Sequence, residues 1–331
     1  MKTLYVIGNG FDLHHDIKSA YKDYRIWLEK NHSALLREID SVYTNSHNDS
    51  WWNQFEENLG YPELKASIEN ALLFAQQERA DKFERDLYVD DENGKEFIDI
   101  DLGELVQKIE NTFHDWVVSM NRPNPLKKIK MDLDDSLCIT FNYSNTLEDL
   151  YHANNVVHLH GQVKRDGSGE AFVLGHGTNK ECIFSNIEDE FNVPWNANMD
   201  PKEYTILNST SDEDRMVRTE AAQKILLLKK DADGIIEQNI KLFEGLRDVE
   251  RVLIYGLSFG EVDVKYLDKI ISSVKTDAFY IISYFSDEDI VRIKNFASSR
   301  KIEYKTVRLK NLCTNPIVRL YLNLKSCLSM I

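Results

Sequence analysis

The sequence predicts an α/β protein: a doubly wound, mostly parallel sheet that carries a large helical insertion. Three observations lead there. Four apolar runs, Leu4-Tyr5-Val6-Ile7, Leu137-Cys138-Ile139, Val156-Val157 and Val252-Leu253-Ile254-Tyr255, read as strands buried on both faces of a parallel sheet. The last third of the chain alternates strand and helix, the pattern of βαβ units with right-handed crossovers. Finally, each apolar run ends in a polar or glycine-bearing tip, and the carboxyl ends of strands are where open α/β sheets bind ligands.

Taken in order, residues 1–20 read as strand, glycine turn and helix. Ser19 to Glu29 continues as an amphipathic helix with Tyr21, Tyr24, Trp27 and Leu28 on one side. From about Trp51 to Met120 apolar residues recur at intervals of three and four, including Leu102, Leu105, Ile109, Phe113, Trp116 and Val117. Asp90-Asp91-Glu92-Asn93-Gly94 interrupts this region as an exposed turn. Asn121-Arg122-Pro123-Asn124-Pro125 ends it, since two close prolines resist helix continuation. Residues 137–177 return to strand and loop, with Phe172-Val173-Leu174 leading as a strand to Gly175-His176-Gly177. Within 180–245, Glu220 to Lys230 and Ile235 to Leu246 are the clearest helices. Strand 252–255, helix 263–273, strand 278–284, helix 287–299 and strand 303–308 follow. The expected division is a nucleotide-binding core of 1–20 and 131–331, with 21–130 as the helical insertion.

Composition narrows the class. The hydrophobic fraction of 42% and aromatic fraction of 11% are globular values. No apolar stretch approaches the roughly 20 residues that span a bilayer, so no membrane association is expected. Lys2 is followed by a short apolar run that turns straight into Gly8, which is no secretory signal, and a cytoplasmic protein is expected. A net charge of −15 repels a phosphate backbone, against non-specific nucleic-acid binding. Cys138, Cys182, Cys313 and Cys327 form no C-x-x-C pair, so neither a tetrathiolate zinc site nor a disulfide framework is expected.

The strand tips carry the chemistry. Gly8-Asn9-Gly10 after a strand suits a sharp turn whose backbone approaches a pyrophosphate, although a strand-to-helix turn without ligand shows the same glycines. Leu13 stands where a third glycine would complete G-x-G-x-x-G, which disfavours a standard dehydrogenase. Asp12 suits either a ribose hydroxyl or a helix cap. Asn142 follows Ile139-Thr140-Phe141 at a strand tip, where its amide can hold a water or a ribose hydroxyl, or close a turn. His158 and His160, in an extended segment before Gly161, would face the same way. They read as a catalytic base, a metal pair or packed residues. His176 lies between two glycines. Gly256, Ser258 and Phe259, with Asp263 opening the next helix, offer amides and a hydroxyl to the adenosine half of a dinucleotide. No G-x-x-x-x-G-K-[ST] occurs, against a P-loop NTPase.

Five segments together resemble the bacteriophage abortive-infection AbiH family: Val6 to His14, Phe141 to Glu148, His158 to Gly161, Leu174 to Gly177 and Tyr255 to Phe259. Their order is similar, more distantly, to a sirtuin-like, Rossmann-like NAD-binding core. What the resemblance implies is phage defence through NAD, bound and hydrolysed at its nicotinamide–ribose bond, with Asn142 and His160 as the catalytic pair. Asn142 would position the water or ribose, and His160 would act as base. The expected cofactor-binding residues are Gly8, Asn9, Gly10, Phe11, Asp12, Thr140, Tyr143, Asn145, Gly161, His176, Gly256, Ser258, Phe259 and Asp263; no metal is expected. The chain departs from the sirtuin-like pattern at Ser144, where an aspartate is usual. The lack of a paired-cysteine zinc module argues against a protein deacetylase.

Such a hydrolase needs gating, for which homo-oligomer assembly or a phage-derived trigger is expected, with the helical insertion as contact surface. Two alternatives stand beside it. One is a sensor that binds NAD or ADP-ribose without turnover. The other is a metal-dependent phosphohydrolase or nuclease using His158, His160, His176 and a carboxylate.

Overall fold

The computed structural model describes residues 2–65, 68–69, 93–168, 172–192 and 212–319. In chain order its elements are β1 (Thr3–Ile7), α1 (Asn9–His14), α2 (Tyr21–Asn31), α3 (Ser33–Val42), α4 (Asp49–Asn53), α5 (Phe55–Asn58), α6 (Asn93–Ser119), β2 (Ser136–Thr140) and α7 (Thr146–Tyr151). They continue with β3 (Val156–His158), α8 (Lys180–Phe191), α9 (Asp212–Leu226), α10 (Ala232–Gln238), α11 (Ile240–Glu244), β4 (Arg251–Tyr255), α12 (Glu261–Ser273), β5 (Phe279–Ser283), α13 (Asp287–Arg300) and β6 (Tyr304–Val307). Two compact units result: Met1–Asp23, His114–Val173 and Asp231–Ile331 form one, Tyr24–Phe113 and Leu174–Lys230 the other.

The first unit holds a six-stranded sheet in the order β3-β2-β1-β4-β5-β6, with every pairing parallel. This is a doubly wound sheet whose order reverses between β1 and β4, the switch point of such folds. Alternation along the strands builds one core on each face. Leu4, Val6, Leu137, Ile139, Val252, Ile254, Tyr280 and Ile282 pack on one side with Tyr266, Leu267 and Ile270 of α12 and Ile293 and Phe296 of α13. Tyr5, Ile7, Cys138 and Tyr255 pack on the other with Phe11, Leu147 and Tyr151. Every residue of β1 and β2 is buried, which is why these strands contain unbroken apolar runs. Each large apolar side chain so buried contributes about 1.5–3 kcal/mol. At α13 a capping box, Ser286 with Asp289, sets the helix start.

The second unit is helical in its described parts. Tyr24 centres an aromatic cluster with Trp52, Phe55 and Phe113, and its hydroxyl meets Thr112 at 2.7 Å. Arg218 of α9 lies 3.8 Å over the Phe191 ring and binds Glu188 of α8 at 2.9 Å. Lys230, fully buried, pairs with Glu56 at 2.6 Å.

Several sequence expectations change. Residues 174–230, expected in the core, group with 24–113 instead. Phe172-Val173-Leu174 is not a strand; among the described residues the nearby pairing is a single parallel bridge between His176 and Lys229. The helix expected over 235–246 breaks at Asn239, whose side chain donates to Ile235 O at 2.8 Å and competes with the helical ladder. The helix expected to reach Lys230 ends at Leu226. Of the turn expected at 90–94, Asp90 to Glu92 lie outside the described residues, while Asn93 and Gly94 open α6. No described helix is long and apolar enough to cross a membrane.

Candidate functional site

Strand register sets the line from which the site is built. Ile7 pairs with Thr140 on one side and Tyr255 on the other, and Thr140 pairs with His158. Gly8, Phe141, Leu159 and Gly256 therefore leave four adjacent strands at one level.

At the switch point the two glycine turns close on each other. Gly8 N donates to Tyr255 O at 2.9 Å, Gly10 N to Gly256 O at 2.8 Å, and Phe11 N to Gly8 O at 2.9 Å. A Cβ on Gly10 would come within 2.8 Å of Gly256 Cα; one on Gly256, at φ +71°, would come within 2.1 Å of Phe11 N. Backbone packed on backbone thus accounts for these glycines, and it consumes three amides that a phosphate cradle would use. Asn9 and Ser19 lock one another, through Asn9 Nδ2 to Ser19 O at 2.9 Å and Ser19 Oγ to Asn9 Oδ1 at 2.5 Å. Phe11 is core, against His15 and Tyr151 at 4.5 and 5.6 Å between ring centroids.

Asp12 lies inside α1 at 1% exposure. Its carboxylate accepts from Ser144 Oγ at 2.5 Å and from Thr146 Oγ1 at 2.6 Å, with the Asn142 amide as a third donor. Burial raises its pKa above the ordinary carboxylate value, and the three donors pull the other way. Ser144, where the sequence departs from the sirtuin-like resemblance, is thus one of the three donors that hold Asp12.

Asn142, at 7% exposure, joins three strand ends. Its Nδ2 donates to Gly8 O at 3.2 Å, its N donates to Thr140 Oγ1 at 3.1 Å, and its carbonyl accepts from His158 Nδ1 at 3.0 Å. Neighbouring residues brace the loop: Tyr143 Oη donates to Val173 O at 2.9 Å and Asn145 Nδ2 to Val163 O at 3.0 Å.

The two histidines diverge, contrary to the extended reading. β3 ends at His158, and Gly161, at φ +81°, closes a turn by donating to His158 O at 3.2 Å. His160, at 3% exposure, is enclosed by aromatic rings, with centroids of Phe141, Tyr266 and Tyr143 at 5.1, 5.5 and 6.4 Å. His158 faces Glu148 instead: its Nε2 is 2.8 Å from Oε1, and Gln162 Nε2 donates to the same oxygen at 3.1 Å. The other carboxylate oxygen of Glu148 is buried with no hydrogen-bond partner among the described residues.

Beyond β4, Gly256 N donates to Ser283 Oγ at 2.7 Å. Ser258 is exposed, and Phe259, in the left-handed region at φ +61°, packs on Phe296 of α13 at 4.9 Å. Asp263 sits in the first turn of α12. Ser144, Asn145 and Thr146 also line a shallow cleft with Ile17, Met120 and Arg165. Arg165 there is held by the carbonyl oxygens of Met120 and Asn121 at 2.9 and 3.3 Å.

The first unit thus gathers Gly8 to Asp12, Thr140, Asn142, Tyr143, Asn145, His160, Gly161 and Gly256 at one end of the sheet. His176 belongs to the second unit, where its ring meets Ile225 O at 3.0 Å and burial lowers its pKa. Sequence reasoning missed Glu148, Gln162 and Thr146 as site residues; Glu148 and Gln162 flank His158 at separations of ten and four, with no motif to join them. Among the described residues no group of three or more His, Cys, Asp or Glu side chains is arranged to hold a metal ion. Cys138 and Cys313 are buried free thiols and Cys182 an exposed one, while Cys327 lies outside the described residues.

A family model described as Bacteriophage abortive infection AbiH matches residues 4–285, from β1 through β5 and every site residue above. No curated protein matches the sequence.

Proposed function

Because the chain belongs to the bacteriophage abortive infection AbiH family, its role is in phage defence, and we propose that it exercises that role by binding NAD at the carboxyl edge of its sheet and hydrolysing the nicotinamide–ribose bond. The observation that carries this reading is Asn142, whose amide and carbonyl tie the ends of β1, β2 and β3 together beside the switch point. Ligands of open α/β sheets lie in that position. Since the amides of Gly8, Gly10 and Phe11 are spent within the protein, a dinucleotide lies across the glycine turn without hydrogen bonds from them. Its sugars face the polar loop from Asn142 to Thr146.

In the reaction the C1′–N bond breaks with its electron pair passing to nicotinamide, water oxygen bonds to C1′, and one water proton goes to a base. Asn142 positions the ribose or the water, and His160 closes the sugar side of the site. In this reading, assembly of several copies or a phage-derived component gates the activity.

The test is incubation of purified protein with NAD, alone and with lysate of phage-infected cells, followed by quantification of nicotinamide and ADP-ribose. Wild type releases nicotinamide, and Asn142→Ala slows release by at least ~100-fold. No release in either condition, with Asn142→Ala indistinguishable from wild type, discards the hydrolase.

The closed glycine turn favours one second reading, a sensor that binds NAD or ADP-ribose without turnover. It predicts a raised melting temperature with either ligand and full recovery of unaltered NAD.

A further inference from the structure

Resting on the NAD-hydrolase reading, we propose that Glu148 is the base that takes the proton of the attacking water, with His158 and Gln162 as its positioning residues. The two oxygens of this carboxylate have different surroundings. Oε1 is fixed from two sides, by His158 Nε2 at 2.8 Å and Gln162 Nε2 at 3.1 Å. Oε2 is buried and has no hydrogen-bond partner among the described residues. A buried carboxylate oxygen without a donor is costly to maintain, and such uncompensated groups concentrate where a ligand completes the set.

The location fits the reaction. His158 Nδ1 donates to the carbonyl of Asn142 at 3.0 Å, so a single imidazole separates Glu148 from the residue that positions the sugar. A carbonyl can only accept, so Nδ1 carries a hydrogen. That arrangement orients Glu148 and leaves Oε2 to accept. The Glu148 side chain is 30% exposed, whereas His160 is enclosed by Phe141, Tyr143 and Tyr266. In the step itself, water oxygen bonds to C1′ as the C1′–N bond breaks toward nicotinamide, and the water proton passes to Oε2. Negative charge at Oε2 also favours the oxocarbenium-like sugar in the transition state.

The experiment compares wild type, Glu148→Gln, Glu148→Ala and His160→Ala in the full chain, under the condition that gives wild-type turnover, with NAD affinity measured in parallel. Expected is NAD binding by both Glu148 variants within about threefold of wild type, with kcat lowered by at least ~100-fold. Added azide, an anionic nucleophile with no proton to lose, should restore turnover of Glu148→Ala and yield ADP-ribosyl azide. A purely structural role would move affinity and would not respond to azide. Turnover of Glu148→Gln within about threefold of wild type overturns the assignment, as does loss of NAD binding in both variants or failure of azide rescue. If wild type turns NAD over while only His160→Ala fails, the base is His160 and the hydrolase reading survives. If wild type neither binds nor cleaves NAD, that reading falls and this assignment with it.

Discussion

Replacing Gly256 by alanine tests whether the glycines at the switch point serve the fold itself. At φ +71° an L-residue pays roughly 1 kcal/mol over glycine. The new Cβ would stand 2.1 Å from Phe11 N and 2.5 Å from Gly10 C, both backbone atoms that no rotamer change can move aside. Restoring ordinary contact separates the β1 and β4 turns by more than an ångström. That breaks the bonds from Gly10 N to Gly256 O at 2.8 Å and from Gly8 N to Tyr255 O at 2.9 Å, each contributing about 1 kcal/mol. The expected loss is about 3 kcal/mol or more, read from urea unfolding followed by tryptophan fluorescence, with the slope unchanged. Gly167 supplies an internal control, because its φ of +78° carries the same conformational cost while nothing lies within 4 Å of its Cβ position. Gly167→Ala should lose only roughly 1 kcal/mol. Equal losses at the two positions would refute the packing account.

Two further expectations concern buried titratable groups in α1 and its end. His15 donates from Nδ1 to Phe11 O and accepts at Nε2 from Tyr151 Oη, both at 2.7 Å, so the neutral ring is the one the site fits, and burial lowers its pKa to about 4. The unfolded chain therefore binds this proton first: stability is fully present above about 6.5 and falls by roughly 3 kcal/mol as pH drops through 4, a slope that His15→Gln should flatten in urea midpoints measured from pH 7 to 4. Asp12 shifts in the opposite direction: its raised pKa makes wild type lose stability as pH rises above 3.8 toward the folded value, so Asp12→Asn should gain on wild type with rising pH. A constant difference between Asp12→Asn and wild type from pH 4 to 8 would show that the carboxylate is not strained by burial.

The fold was legible where one interaction dominates. β1 and β2 are buried at every position and β4 at three of five, so apolar runs locate them, and the last third alternates because β4 and β5 are each followed by an amphipathic helix. Expectations failed where the deciding partner is remote or of another kind. Asn239 ends α10 by bonding its side chain to Ile235 O, a competition that hydrophobic periodicity does not register. Phe172 to Leu174 has the composition of a strand, yet Val173 donates its N–H to His160 O, in a loop, and no strand among the described residues pairs with it. Residues 174–230 belong with 24–113 through contacts such as Lys230 with Glu56, 174 positions apart.

The site was legible to the depth of one loop at a time. Asn142 stands out because a strand tip is a poor place for a buried amide unless it has partners, and its partners are the ends of β1 and β3. His158 and His160 could not be ranked, because Gly161 turns the chain after β3 and sends one ring to Glu148 and the other among aromatic side chains. The glycines carry the subtler lesson. A glycine at a strand tip records that something approaches too closely for a Cβ, and a pyrophosphate and a neighbouring backbone leave the same mark in the sequence. Gly10 and Gly256 lie 246 positions apart, in loops that only the order β1-β4 makes adjacent, and each is what the other cannot tolerate a side chain beside. In the proposed NAD reading, recognition therefore rests on the polar residues that follow β2 and β3 and not on the glycine turn, and substitutions there should separate binding from turnover.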